Sequence, residues 1–379
     1  MIINSILDSD FYKFSMGQVV LFFFKGLPVK YKFILRNPIE FPDGFGSRLQ
    51  DEINHLATLK LTNDEYKWLA TNPNIYRYYL DWLSTYQFNP EEVEVIFTDN
   101  KLELTIEGPW ERTIYWEVPL LAIISELYFS MTNQTVDSRA VLDRTLEKGK
   151  QLAGIPFVDF GTRRRLSFNA HDHVINGFIN SESKGNFIGT SNPYFARKYG
   201  IWIIGTYAHE AIMAMQALVG VEDCNSAWLE YWKVVYGKML NVALGDTLTT
   251  DYFLNSTNDV MFNLLDGIRQ DSGDPIEIGW KIVNKWRELG IDPKTKNIVF
   301  SDNLNPDKVK VIWDTFKDIT MPIFGVGTNL TNDFGPKPLN MVIKMIEADG
   351  KPVVKLSDDK GKYTGDLETI EKVKKELKI

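Results

Sequence analysis

The sequence predicts an α/β protein in which a β/α barrel is joined to a smaller sheet shared by both ends of the chain. Three observations support this prediction. Strand-like and helical segments are mixed before residue 110, short apolar runs alternate with helical segments from about residue 135 to residue 340, and a strand–turn–strand pattern follows. Short buried strands that alternate with helices are typical of parallel β/α units.

The N-terminal third contains both kinds of element. The segment VKYKFILRNP, residues 29–38, alternates polar and apolar residues as a half-buried strand does. The segment VEVIFTDNKLELTIEGPW, residues 93–110, predicts two strands joined by a turn at Asp99 and Asn100. Residues 51–82, between these strands, have the pattern of helix. We therefore expect a sheet with helical cover in this part of the chain.

Seven apolar runs follow, and each ends in polar or glycine-rich residues. They are FVDFGTRRR from Phe157, FIGTSNP from Phe187, WIIGTYAHE from Trp202, VALGDTLTT from Val242, GIRQDSGDP from Gly267, IVFSDNLNP from Ile298 and IFGVGTNL from Ile323. Seven units predict an irregular β/α barrel, or one with a strand that leaves no clear signal. The reactive residues of barrels lie at the C-terminal ends of their strands, where this chain concentrates its polar residues.

Two helix starts and the C-terminal segment complete the predicted fold. Asp274 before Pro275 and Asn305 before Pro306 predict capped helices. The segment MVIKMIEADGKPVVKLSDD, residues 341–359, predicts two strands around an Asp-Gly turn. No barrel helix is expected after it. We expect these strands to return to the N-terminal sheet.

Composition excludes several classes of protein. The chain has 379 residues, 44% of them hydrophobic, which is enough for a large core and two domains. A net charge of −8 disfavours nucleic-acid binding, and the single cysteine, Cys224, excludes a disulfide framework. The apolar runs at residues 19–24 and 118–125 are too short to span a bilayer, and the acidic N-terminus does not resemble a signal peptide. We expect a cytoplasmic protein without nucleic-acid or membrane partners.

The segment GTYAHEAIMAMQ, residues 205–216, places His209 at the start of a predicted helix, beside Glu210. A zinc site of the HExxH type would need a histidine at Met213, so that interpretation fails. A hydrogen-bonded core histidine is the plain alternative. The position of His209 at the barrel rim favours a functional role. The helix N-terminus would keep its imidazole neutral and would stabilise a phosphoryl group attached to it.

The segment GIRQDSGDP is the densest site candidate. Asp271 and Asp274 flank Ser272 and Gly273, whose hydroxyl and backbone N–H groups suit an anionic oxygen. The carboxylates suit Mg²⁺ or a sugar hydroxyl, and Arg269 offers a fork for a carboxylate or phosphate. A capped helix after a turn explains Asp274 but leaves Arg269 and Asp271 without an explanation.

The interpretation of two further motifs depends on where they lie in the fold. The segment GVGT, residues 325–328, lacks the third glycine of GxGxxG and the lysine of the P-loop. It is either a tight turn or, at a barrel rim, a phosphate cradle. Phe160 stands beside the basic run of residues 163–165, which suits a flat anionic ligand, although core packing also explains the ring. The residues thus predict a barrel-type enzyme with sites for phosphate, Mg²⁺ and a planar anion.

The ordered set of motifs resembles the nicotinate phosphoribosyltransferase family. LDSDFYKFSM, FGTRRR, GTSNP, GTYAHEA, GIRQDSGDP, SDNL, GVGTNLTND and VVKLSDD occur in the family's order over nearly the whole chain. The resemblance implies a ligase-type enzyme that makes nicotinate mononucleotide and diphosphate from nicotinate and 5-phosphoribosyl 1-diphosphate, with ATP hydrolysis coupled to the synthesis. This is the first step of NAD biosynthesis from nicotinate. Mg²⁺ is the implied cofactor, ATP a co-substrate, and a homodimer a plausible assembly.

The resemblance also implies a fold and residue roles. The fold is the irregular β/α barrel of type II phosphoribosyltransferases, residues 135–340, plus an α/β sandwich domain formed from residues 1–134 and 341–379. The implied catalytic residues are His209, which ATP would phosphorylate, Asp271 and Arg269. The residues implied for nicotinate binding are Tyr12, Phe160, Arg163, Thr206 and Arg269. Those implied for phosphoribosyl diphosphate binding are Ser272, Gly273, Asp302, Gly325, Gly327 and Thr328.

Three alternatives stay open at this point. A nicotinamide phosphoribosyltransferase would need an acceptor for the amide, and the strand end at residues 190–192 carries no carboxylate. A barrel lyase or aldolase would need a Schiff-base lysine, which none of the seven strand ends contains. A non-catalytic metabolite-binding protein would not need so many charged residues at one rim.

Overall fold

Two β-sheets organise the protein, one antiparallel and one parallel. The structure, a computed structural model, describes residues 1–359 and 361–379. The antiparallel strands come from both ends of the chain and the parallel strands from the region between them. The predicted combination of an irregular barrel with a sheet shared by both chain ends is confirmed.

The N-terminal region supplies three antiparallel strands and the helices that cover them. Its elements are α1 (Phe11–Phe23), β1 (Pro28–Leu35), α2 (Phe45–Leu56), α3 (Asn63–Leu69), α4 (Arg77–Leu83), β2 (Val93–Thr98), β3 (Lys101–Pro109), α5 (Trp110–Thr113) and α6 (Glu117–Met131). Strands β2 and β3 form the predicted hairpin. Its turn residues Asp99 and Asn100 have φ angles of 51° and 59°, as a type I′ turn requires.

The central region contains the parallel strands and their helices. Its elements are α7 (Ser138–Gln151), β4 (Phe157–Asp159), α8 (Phe168–Ile179), β5 (Phe187–Thr190), α9 (Pro193–Tyr199), β6 (Trp202–Ile203), α10 (His209–Val219), α11 (Cys224–Tyr236), β7 (Val242–Leu244), α12 (Thr250–Ser256), α13 (Asp259–Leu264), β8 (Gly267–Gln270), α14 (Pro275–Glu288), β9 (Asn297–Phe300), α15 (Pro306–Phe316), β10 (Met321–Val326) and α16 (Thr328–Thr331). All seven predicted apolar runs form strands. Their order in the sheet is β6-β5-β4-β10-β9-β8-β7.

The barrel is open between β6 and β7, which do not pair with each other in the part of the chain that the structure describes. Helices α10 and α11 connect these two edge strands. The Tyr207 hydroxyl accepts a hydrogen bond of 3.1 Å from the backbone N–H of Leu244 on β7. The Tyr207 side chain therefore pairs with a backbone N–H group of β7 that would otherwise pair with a neighbouring strand.

The C-terminal region returns to the N-terminal sheet as predicted. Strand β11 (Met341–Ala348) pairs antiparallel with β1 over residues 29–35, and β12 (Lys351–Pro352) follows on its outer side. A helix that the sequence analysis did not predict, α17 (Leu367–Leu377), then ends the chain. Its buried residues Ile370, Val373 and Leu377 have the three-to-four spacing of an amphipathic helix, so the pattern was present in the sequence.

Helix starts at the barrel rim follow the predicted caps. The Asp274 carboxylate accepts hydrogen bonds from the backbone N–H groups of Ile276 and Glu277 at 3.0 and 2.9 Å. The side chain of Asn305 accepts one from Lys308 N–H at 2.9 Å. Both caps fix the strand-to-helix turns on which the polar strand-end residues stand.

One helical segment of the described chain, Trp110–Met131, is long and apolar enough to cross a membrane by length and composition. Of its most apolar window, 78% is buried inside the protein. Helix α6, which forms most of this segment, packs against α2 and β11. Its apolar character is therefore explained by its place in the core.

Candidate active site

Three cavities lie side by side at the C-terminal ends of the parallel strands, and all three are lined by Arg163 and Arg269. The apolar cavity has a volume of about 200 Å³. The polar cavity has a volume of about 400 Å³. A small cavity of about 30 Å³, the histidine cavity, lies next to His209. The predicted rim site is therefore a connected set of spaces.

The apolar cavity lies between two aromatic rings. The Arg163 guanidinium stands 5.9 Å from the centre of the Tyr12 ring, and that of Arg269 stands 5.6 Å from the centre of the Phe160 ring. The residues predicted to bind nicotinate, namely Tyr12, Phe160, Arg163, Thr206 and Arg269, all line this cavity. A flat anion would find two ring faces and two cations here. The assignment of these residues to nicotinate stays a prediction.

The polar cavity is basic. Arg36, Arg164 and Lys362 line it together with the two shared arginines. Arg164 belongs to the basic run that the sequence analysis singled out, whereas Arg36 and Lys362 were not predicted from the sequence. Burial and the neighbouring Arg163 lower the pKa of Arg164 to about 10, which leaves it charged at neutral pH. The predicted residues Asp302, Gly327 and Thr328 also line this cavity.

Three residues predicted to bind phosphoribosyl diphosphate lie outside the lining of the polar cavity. The Ser272 hydroxyl is fully buried, donates to Asp246 at 2.5 Å and accepts from the backbone N–H of Asp358 at 3.1 Å. Gly273 lines a separate cavity beside the C-terminal segment. Gly325 lies behind Phe160, where a Cβ atom would clash with the ring. Gly325 thus allows the ring to face the cavities, a role that strand periodicity does not reveal.

His209 is the first residue of α10 and is 4% exposed. Its Nδ1 lies 3.1 Å from the Thr247 hydroxyl, and its Nε2 lies 3.1 Å from Asp271 Oδ2 and 2.9 Å from Lys355 Nζ. Burial and the Lys355 ammonium group lower the pKa of His209 to about 4. The ring is therefore neutral at pH 7, with burial and Lys355 as the main causes.

Asp271 joins His209 to the shared Arg269. Its Oδ1 accepts from Arg269 Nη2 at 2.9 Å and from the Ser301 hydroxyl at 2.6 Å. Burial favours the protonated acid, but Arg269 and His209 outweigh it and hold the pKa of Asp271 well below its usual range. An ionised carboxylate therefore lines both the histidine cavity and the polar cavity.

Several charged groups of the site were missed by sequence reasoning. Lys355 and Lys344, both in the C-terminal region, stand beside His209 or line the histidine cavity. Glu117 lines the same cavity, and Glu210 pairs with Lys13 at 2.7 Å. The one available signal was a charged residue within a strongly apolar segment, as at Lys13 and Glu117.

The fold and the site define a class of protein: an irregular β/α-barrel protein whose neighbouring strand-end cavities share two arginines. Comparison with known proteins gives the family. The Nicotinate phosphoribosyltransferase (NAPRTase) family model matches residues 155–379, and the model of its N-terminal domain matches residues 7–125. The chain belongs to the nicotinate phosphoribosyltransferase family.

Relatives match over their full length. The nicotinate phosphoribosyltransferase of Chromohalobacter salexigens is 42% identical over 100% of this chain and 99% of that protein. That of Desulforapulum autotrophicum is 44% identical over 97% of both. The crystal structure of the Porphyromonas gingivalis nicotinate phosphoribosyltransferase superposes with a TM-score of 0.96, at 36% identity and 100% coverage of both chains.

Proposed function

We propose that this protein joins nicotinate to 5-phosphoribosyl 1-diphosphate in the cytoplasm, forming nicotinate mononucleotide and diphosphate, and that ATP drives the synthesis by phosphorylating His209. The reaction is the first step of NAD biosynthesis from nicotinate. The observation that carries the proposal is the pair of arginines, Arg163 and Arg269, that line both the apolar and the polar cavity. Their position supports a ring site directly against a phosphate site.

The apolar cavity suits nicotinate better than its neutral amide. Tyr12 and Phe160 offer ring faces, and the two arginines offer charge-assisted hydrogen bonds to a carboxylate. One carboxylate, Asp10, also lines the cavity. It already accepts a hydrogen bond of 2.6 Å from the Ser191 hydroxyl and lies 3.6 Å from Arg163. The surplus of positive charge therefore favours an anionic pyridine.

The polar cavity suits the phosphorylated substrate. The pyridine nitrogen is itself the nucleophile, so the protein needs to position two substrates and stabilise charge. The ionised Asp271 lines the polar cavity and accepts a hydrogen bond from Arg269, which lines both cavities. It would stabilise positive charge that develops on the ribose ring. Arg36, Arg164 and Lys362 would bind the phosphate groups and the departing diphosphate.

Mg²⁺ is the cofactor that we expect with the diphosphate. Among the described residues, no group of three or more His, Cys, Asp or Glu side chains is placed to hold a metal. The polar cavity offers Asp271, Asp302 and the Ser301 hydroxyl, which fits a Mg²⁺ ion held by one or two carboxylates and by phosphate oxygens. When bound, it would neutralise charge on the diphosphate.

ATP coupling is supported by the state of His209. A neutral imidazole can attack the terminal phosphorus of ATP, so that the N–P bond forms as the bond to ADP breaks and ADP leaves with the electron pair. The phosphoryl group would then lie at the N-terminus of α10, next to Lys355. The histidine cavity opens beside the same ring, between it and Lys344.

The test is a phosphate-release assay with ATP, Mg²⁺, phosphoribosyl diphosphate and one pyridine. Nicotinate should give both nicotinate mononucleotide and ATP-derived phosphate, and nicotinamide should give nucleotide only at a far lower rate. Nucleotide formed from nicotinamide at an equal rate would contradict the proposed substrate. Nucleotide formed from nicotinate without ATP cleavage would contradict only the coupling.

Asp271→Asn should lower kcat on the order of 10²-fold, since the charge that stabilises the ribose cation is lost while the side-chain shape is kept. Circular dichroism should show an intact fold. The matched control is Asp274→Asn, an exposed helix cap three residues away that asparagine replaces well. An Asp271→Asn variant with unchanged turnover at saturating Mg²⁺ would remove Asp271 from the catalytic residues.

A further inference from the structure

Lys13 is a fully buried lysine to which the reaction above assigns no role. Its Nζ atom lies 2.7 Å from Glu117 Oε2 and 2.7 Å from Glu210 Oε2. The side chain of Lys13 is 0% exposed and those of the two glutamates 7% and 6%. The three residues belong to three different helices, α1, α6 and α10. We call these three side chains the buried triad.

The buried triad connects the two ends of the active site. Glu210 directly follows His209, and Lys13 directly follows Tyr12. Glu117 lies 3.5 Å from Arg163 Nη1, and the Tyr12 hydroxyl donates to it at 3.5 Å. The triad thus ties the histidine to a ring face and a cation of the apolar cavity.

The energetics of the triad indicate positioning rather than stability. Burial favours neutral Lys13, but Glu117 and Glu210 together raise its pKa above the ordinary value. Burial also opposes charge on Glu117, yet Lys13 and Arg163 lower its pKa to about 2. A buried ion cluster contributes little net stability, because desolvation offsets the attraction, but it holds its members in one arrangement. Without Lys13, the buried Glu210 carboxylate would lose its ion-pair partner and would face the Glu117 carboxylate.

On the basis of the proposed ATP coupling, we propose that Lys13 is a positioning residue that links the phosphorylation state of His209 to the geometry of the nicotinate site. A phosphoryl group on Nε2 must displace Asp271 and Lys355 from that atom, which shifts the start of α10. Glu210 moves with this helix start, and Lys13 transmits the shift to Glu117. The size of the effect is limited by the difference in nicotinate affinity between the two states.

The test replaces Lys13 by methionine in the full-length protein and measures three quantities. They are the nicotinate KM, the labelling of His209 by ATP, and the number of ATP molecules cleaved per nucleotide formed. We expect labelling to persist, KM to rise about tenfold and the ATP cost per nucleotide to rise several-fold, in line with typical coupling between sites. A residue that only stabilised the fold would lower all rates together and leave the ATP ratio unchanged.

A matched control is Lys296→Met. Lys296 is also buried, but its Nζ donates to the carbonyl groups of Asn263 and Leu265, at the N-terminal side of β9. This variant should keep the parent KM and ATP ratio. A rise of the ATP ratio in Lys296→Met equal to that in Lys13→Met would overturn the inference, because loss of any buried lysine would then suffice.

A second variant covers the case in which Lys13→Met does not fold. Combining it with Glu117→Gln and Glu210→Gln removes the repulsion between the carboxylates, and this triple variant should fold and cleave ATP without coupling. A folded single or triple variant with the parent KM and ATP ratio overturns the inference. So does the failure of both variants to fold, since Lys13 would then serve stability alone. If the parent protein makes nucleotide without cleaving ATP, the proposed coupling itself is wrong. This result distinguishes failure of the proposed coupling from failure of the role proposed for Lys13.

Discussion

His209→Asn is expected to abolish nicotinate-dependent ATP cleavage, with a loss on the order of 10³-fold or more, as for removal of other catalytic nucleophiles. Incubation of the parent protein with γ-labelled ATP should give a label that is stable in base and lost in acid, as phosphohistidine is. The variant should carry no such label. It should still make nicotinate mononucleotide slowly, because the pyridine nitrogen attacks the ribose without help from the histidine.

The structure explains why this histidine suits the role. Its pKa of about 4 leaves the nucleophilic ring neutral across the physiological range. Lys355 Nζ, 2.9 Å from Nε2, would pair with the phosphoryl group after transfer. The transfer thus needs no prior deprotonation of the ring near pH 7.

The control is His173→Asn. His173 lies in α8, where its Nδ1 is 2.6 Å from the backbone carbonyl of Asn169, and it lines none of the three cavities. It should label and couple as the parent does. Full labelling and normal coupling in His209→Asn would show that His209 is a core residue, the alternative that its burial keeps open.

Local patterns were sufficient to predict the strands and the barrel, but not the gap between two of its strands. Each of the seven barrel strands was marked by an apolar run of its own, and the hairpin at Asp99 and Asn100 by its turn residues. The gap between β6 and β7 depends on pairing between segments far apart in sequence, and on Tyr207 reaching Leu244. No local pattern contains that information.

The same limit applies to the site. His209, Arg269 and Asp271 were predicted because they lie at or after the ends of strands, and parallel strands bring their C-terminal ends to one rim. Lys355 could not be placed from sequence, since it reaches His209 across 146 residues from the C-terminal region. Ser272 shows the reverse problem. Its local helix-start pattern suggested a free hydroxyl, but a distant carboxylate, Asp246, accepts that hydroxyl's hydrogen bond.

Arg269→Ala is expected to remove the preference for nicotinate over nicotinamide. The Arg269 guanidinium donates through Nε to the Ser301 hydroxyl at 2.9 Å and through Nη2 to Asp271 at 2.9 Å, while it faces the apolar cavity beside Phe160. Its remaining N–H groups can bind the nicotinate carboxylate. Removing Arg269 would leave the desolvated nicotinate carboxylate without this partner, which costs about 2–5 kcal/mol. The kcat/KM for nicotinate should therefore fall roughly 30- to 4,000-fold.

Two further variants isolate this effect from general damage to the site. Arg269→Lys keeps the charge but loses the fork, so it should retain part of the preference for nicotinate. Asp271→Asn, which removes the partner of Arg269, should lower turnover of both pyridines by the same factor. The ratio of kcat/KM for nicotinate to that for nicotinamide is therefore the decisive measurement. If Arg269→Ala keeps the parent ratio, the nicotinate carboxylate must be bound elsewhere, and Arg163, the other arginine lining the apolar cavity, becomes its partner.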